Sequence, residues 1–141
     1  MIILDTNVVS EPMRSNANPA VAAWLDRQAA DTLFLTATSL SELLLGIELL
    51  PPGQRRIGLS SALGALVGRL FAARILPFDE QAAQAYAILV ARARGEGIPI
   101  SVADGQIAAI AVSRGFAVAS RDTLPFVAAG APIIDPWDAE P

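Results

Sequence analysis

Short apolar runs separated by longer helical stretches constrain this chain most. Ile2–Leu4, Leu33–Thr36, Ile75–Phe78 and Phe116–Ala119 read as strands, and Pro132-Ile133-Ile134 as a last edge strand. Between them, Pro19 opens a helix through Ala30, with Val21, Trp24 and Leu25 on one face and Asp26 and Arg27 on the other. Ser39-Leu40-Ser41-Glu42 fits a capping box, and the helix it starts runs to Leu50, where Pro51-Pro52-Gly53 stops it. A long helix covers Gln54 to Ala73, weakened by glycines. Asp79 caps another from Glu80 to about Arg94, ended by Gly95-Glu96-Gly97. A further helix starts at Ser101 or Val102 and runs to Ser113, and a short turn or helix follows Asp122. Strands that alternate with helices form a mostly parallel sheet covered on both faces. The expectation is one α/β domain over residues 1–141, with a central sheet of four to five strands.

The residue types that are missing narrow the chemistry. The chain has no cysteine, so disulfides and thiolate metal sites are excluded. Without histidine there is no imidazole base and no zinc–imidazole site. All ten basic residues are arginine, which removes the lysine that a phosphate-binding loop or a Schiff base needs. Carboxylates acting with a hard metal ion are the main catalytic option left.

The net charge of −4 argues against broad, nonspecific nucleic-acid binding but not against RNA as a substrate. Acids gathered in a metal site would reverse their local sign once cations bind, and arginine forks suit phosphates. A hydrophobic content of 53% with only 17% charged residues predicts a partner surface. The apolar stretch Ile57–Ala73 is interrupted by Arg69 and flanked by Arg55, Arg56 and Arg74, so it reads as an amphipathic or buried helix, not a membrane span. The N-terminus has no signal-peptide pattern, and a cytosolic location is expected.

Four acids fall where a site would form. Asp5 follows the first strand, Asp122 follows the fourth, and Glu42 and Asp104 sit in the first turns of helices. All can reach the carboxyl edge of the sheet, where ligands bind in such folds. Gathered there without counter-charge they would repel one another, and bound Mg2+ or Mn2+ would resolve the conflict. Each also has an ordinary reading: Asp5 as a helix cap, Glu42 as the acid of a capping box, Asp104 as a helix-dipole residue and Asp122 as half of a surface ion pair with Arg121.

Order and spacing decide between these readings. Ile3-Leu4-Asp5-Thr6-Asn7 resembles the D-T-N/S opening of PIN-domain nucleases, and Ser39-Leu40-Ser41-Glu42-Leu43 resembles their second motif. The stretch Ile98 to Ala109, with Asp104-Gly105-Gln106-Ile107-Ala108-Ala109, is similar to the third, and Val118-Ala119-Ser120-Arg121-Asp122 to the fourth. Pro136-Trp137 resembles the tail of the FitB-like branch of VapC toxins, which belong to type II toxin–antitoxin systems. Phe126 and Val127 stand where the family more often has an acidic or aromatic run.

The resemblance implies a three-layer α/β/α fold and a metal-dependent endoribonuclease. Asp5 and Asp104 would be the primary ligands of Mg2+ or Mn2+, with Asp122 contributing directly or through water. Glu42 would orient or deprotonate the attacking water, and Thr6, Asn7 and Ser120 would support the ligands or the scissile phosphate. It further implies a homodimer, possibly within a larger toxin–antitoxin assembly, and a cognate antitoxin lying over an apolar helical surface. Leu43, Leu44, Ile47, Leu50, Leu63, Leu66 and Leu70 are candidates for that groove, or else plain core.

Two rivals remain to be weighed. A dehalogenase-like or receiver-like phosphoryl-transfer site is opposed by the absent lysine and by Asn7 standing where a second Asp would. The other is a PIN-like module that binds RNA or protein but no longer cuts.

Overall fold

In the computed structural model, which describes residues 1–139, the strands are β1 (Ile2–Leu4), β2 (Leu33–Thr36), β3 (Ile75–Leu76), β4 (Ala117–Ala119) and β5 (Ile133–Ile134). They form one sheet in the order β3-β2-β1-β4-β5, and every pairing is parallel. The helices are α1 (Thr6–Ser10), α2 (Pro19–Asp26), α3 (Ala37–Glu48), α4 (Gln54–Leu66), α5 (Glu80–Gly95), α6 (Val102–Arg114) and α7 (Leu124–Ala128).

The apolar runs explain the layering, because successive strand residues face opposite sides of the sheet. Ile3 and Val118 join one core cluster with α5, α6 and α7, through Leu89, Val90, Ile107, Ile110 and Phe126. Leu4, Leu33, Leu35 and Ala119 join a second with α1 and α2, through Val8, Val9, Val21 and Trp24. The result is three layers, α/β/α, as expected. No helix among the described residues is long and apolar enough to cross a membrane.

Several boundaries differ from the sequence expectation. Helix α2 ends at Asp26, four residues early, and a 3-10 turn at Ala30–Thr32 leads into β2. The short α1 and the 3-10 turn Glu11–Met13 behind it carry too few residues to show periodicity. Strand β3 stops at Leu76, before Pro77, which has no N–H for a ladder. Helix α4 passes into a π-helical stretch at Val67–Phe71. Arg74 anchors the end of that stretch by donating to the carbonyls of Leu33 and Leu70.

The start of α3 is the clearest correction. Its cap is Thr36, the last residue of β2, whose Oγ1 accepts from the Ser39 N–H at 3.0 Å. Ser39 is therefore inside the helix, and Glu42 stands in its second turn. Starting the helix directly from the strand leaves no loop between the sheet edge and Glu42.

Candidate active site

The order in which strands are added reverses at β1: the path runs through β2 and β3 on one side, then crosses to β4 on the other. Ligand crevices open at the carboxyl ends of strands at such a switch point. Asp5 leaves β1 there, and Ser120, Arg121 and Asp122 leave β4.

Asp5 is held firmly. Its N–H donates to the Ala119 carbonyl at 2.9 Å, which extends the β1–β4 ladder by one bond. Its side chain is buried, with Oδ1 accepting from the Thr6 N–H and Oδ2 from the Ser120 hydroxyl, both at 2.8 Å. The fully buried Ser120 Oγ also accepts from Asn7 Nδ2 at 3.2 Å and from the Asp122 N–H at 3.1 Å. Asn7 Oδ1 in turn accepts from the Arg121 N–H at 3.3 Å. The ends of β1 and β4 are thus tied together by side chains as well as by the ladder.

Asp104 is the third residue of α6, and its N–H donates to the capping Ser101 hydroxyl at 3.1 Å. Helices α3 and α6 meet through Thr38, whose hydroxyl bonds Gln106 Oε1 at 3.0 Å, and this brings Glu42 and Asp104 to the same edge.

The electrostatics show that the four acids share one field. Burial pushes the Asp5 carboxyl up; the Ser120 and Thr6 donors pull it down, and Asp104 and Asp122 add repulsion. Glu42 is raised by partial burial, then by Asp5 and Asp104. Asp104 is raised by partial burial and by Asp122, against the pull of Ser101. The ion pairs Arg14–Glu11, Arg56–Glu48 and Arg114–Asp79 leave all four acids out. Repulsion without a paired cation, among oxygen donors only, fits a hard divalent ion. Among the described residues no three acids stand close enough to ligate one ion as placed.

A family model for the PIN domain matches residues 2–130. The chain belongs to the PIN-domain family. It is similar to the VapC ribonuclease Y4jK of Sinorhizobium fredii, with 48% identity over 98% of this chain and 99% of that one. It is also similar to toxin FitB of Neisseria gonorrhoeae, with 44% identity over 97% of this chain and 99% of that one. A chain in the structure of FitAB bound to an IR36 DNA fragment superposes with a TM-score of 0.94 at 43% identity, covering 99% of this chain and 98% of that one.

Within this PIN domain, Asp5, Asp104, Asp122 and Glu42 stand at one sheet edge within reach of one another's charge, and Asn7 and Ser120 tie the Asp5 and Asp122 segments together. Thr6 reaches Asp5 through its backbone N–H. Sequence reasoning missed Glu11, a buried acid outside the cluster. It accepts from the Asn18 N–H at 2.8 Å and from Arg14 at 3.2 Å, and so closes the loop over residues 11–18. The only signal for it was an acid two residues after the apolar pair Val8-Val9. Thr36, Thr38 and Gln106 were also missed, because their partners are set by the fold.

A cleft of about 730 Å3 opens beside Glu42, between the 10–16 segment and helices α3 and α4. Of the groove candidates, Leu43, Ile47, Leu50 and Leu63 line it. Leu66 and Leu70 pack on the core beneath α4 instead, and Leu44 is exposed outside the cleft. Phe126, one of the departures from the family pattern, is fully buried in the α5–α6–α7 core, and Val127 is exposed.

Proposed function

We propose that this PIN domain, a single unit over residues 1–141, is the toxin of a VapBC-type toxin–antitoxin pair. It hydrolyses RNA phosphodiester bonds with Mg2+ or Mn2+ and works in the cytosol. One observation carries the reading: a buried, hydrogen-bonded Asp5 shares its field with Asp104, Asp122 and Glu42, and among the described residues the ion pairs leave all four acids out. A purely structural cluster would be neutralised from within. This one leaves its charge for a cation to offset. The similarity to a protein named VapC ribonuclease and to toxin FitB supports the choice of RNA and of the toxin role.

Each residue then has a task. Asp5 and Asp104 offer ligand oxygens, and the Ser120 hydroxyl fixes which Asp5 oxygen stays turned inward. Asp122 contributes directly or through water. Glu42 is exposed and coupled to both Asp5 and Asp104, so it is placed to orient the attacking water or take its proton. A bound divalent ion supplies a water of lowered pKa and offsets charge on the phosphoryl oxygens.

The cleft lined by Leu43, Ile47, Leu50 and Leu63 is assigned to the cognate antitoxin, and its opening beside Glu42 would let the bound antitoxin block the site. Exposed Leu45, Leu49 and Ile57 nearby, and Ile88 and Val102 on α5 and α6, are apolar surface suited to that partner and to a homodimer. Expression in a bacterial host tests the reading. Growth should stop with RNA cleavage, and Asp104→Asn should abolish both. Arrest that persists unchanged in Asp104→Asn would sink it.

A further inference from the structure

Arginines carry all the basic charge of the chain, and at least five of the ten are spent on internal contacts. Arg74 and Arg92 donate to backbone carbonyls, and Arg14, Arg56 and Arg114 pair with acids. Arg121 is engaged differently. It stands between Ser120 and Asp122, and its backbone N–H is bound by Asn7. Its exposed guanidinium makes no hydrogen bond or ion pair among the described residues, although Asp122 is its neighbour in sequence. It lies instead over the Trp137 indole, with Cζ 5.4 Å from the ring centroid.

The tail of the chain builds this contact. The Ser120 N–H donates to the Ile134 carbonyl at 3.0 Å, which fixes β5 one residue before Arg121. Beyond β5, Asp135 Oδ1 accepts from the Trp137 N–H at 2.9 Å, and the Asp138 N–H reaches the Asp135 carbonyl at 3.2 Å. Pro136 is buried, and half-buried Trp137 packs on the core cluster that contains Leu4 and Ala119. The Pro136-Trp137 segment is therefore held as a platform beside the acidic edge.

A cation–π contact holds the charge in place without using its N–H donors. A guanidinium free to swing would fold onto Asp122 or Asp5 and cancel the charge that attracts a metal ion. Held on the indole, it sits at the mouth of the site with its fork open, and a forked, permanently charged donor suits a phosphate.

We propose that Arg121 binds a backbone phosphate of the RNA next to the one that is cut, and that Trp137 is the residue that positions it. The proposal rests on the ribonuclease reading above and adds to it the group that grips the strand. It explains how a chain of net charge −4 holds a polyanion at its acidic edge.

The test is cleavage of bacterial total RNA with Mg2+ at several salt concentrations. Arg121→Gln should raise KM about tenfold with much less change in kcat, and should lower the slope of log KM against log salt by about 0.7, the share of one single-strand phosphate. Arg121→Lys should keep the salt slope, since its charge remains. Trp137→Ala should raise KM toward the Arg121→Gln value, and Trp137→Phe should restore it, because a phenyl face still carries the cation. A merely structural Trp137 would lower Tm and leave the salt slope unchanged. Arg121→Gln with the KM and salt slope of a wild type that cuts RNA would overturn the proposal and leave the nuclease standing. A wild type that cuts no RNA would overturn the ribonuclease reading, and this proposal with it.

Discussion

At the scale of single residues, Ser120 does more than its place in a motif suggests. It donates to Asp5 and accepts from Asn7 and from the Asp122 backbone, all through one buried oxygen. Ser120→Ala should cost ~1–3 kcal/mol of stability, because it leaves buried polar groups unpaired, and urea unfolding measures this. It should also move the acid limb of cleavage to higher pH, since the Ser120 donor is what pulls the Asp5 carboxyl down. Asp5 itself is raised by burial. In the metal-free fold it therefore adds stability that is fully present below its unfolded pKa and is lost as pH rises through its higher folded pKa. Asp5→Asn carries no charge at any pH. The Tm of the metal-free variant, compared with wild type, should therefore improve as pH rises above the ordinary carboxylate range and through the raised Asp5 pKa. A difference that stays flat with pH would contradict the burial of a charged Asp5. The four acids were legible in the sequence because each follows a strand or opens a helix. Their mutual repulsion was expected as well, but the spacing between them was not legible, since it depends on how far apart folding leaves them.

At the scale of elements, the helix starts set the site. Thr36 and Ser101 both cap helices, and each cap fixes the direction in which an acid leaves the sheet edge. Ser101→Ala removes the hydroxyl that accepts from the Asp104 N–H. It should cost about 1 kcal/mol and lower cleavage more than that loss of stability explains, which paired kinetics and urea unfolding would reveal. The Ser39–Glu42 capping box was a misreading with a physical cause. The stretch holds four hydroxyl residues, Thr36, Thr38, Ser39 and Ser41, and only the end of β2 decides for Thr36. Gly105 shows the reverse case, a position silent in sequence that packing explains. A Cβ there would lie 2.8 Å from the Tyr86 ring and 3.1 Å from Val90, so glycine lets α5 and α6 close directly beside Asp104.

At the scale of the whole molecule, strand–helix alternation made the layered fold legible early, because strands buried on two faces are apolar at nearly every position. The strand order was not legible, since no local pattern records that the chain returns past β1 to lay down β4. That return is what places Asp5 beside Ser120 and Asp122. The groove was half legible: the leucine stripe pointed to it, yet Leu66 and Leu70 pack on the core alone, whereas Ile47 lines the cleft and Leu43 serves both. The central claim is that the gathered acids cut RNA when a divalent ion joins them. The most direct measurement is cleavage of bacterial total RNA by purified, antitoxin-free protein, with Mg2+ or Mn2+, with EDTA, and with Asp5→Asn. The account predicts cutting with metal, none with EDTA, and a loss of about a hundredfold or more in the variant. Cutting that survives EDTA, or that Asp5→Asn retains in full, would contradict it.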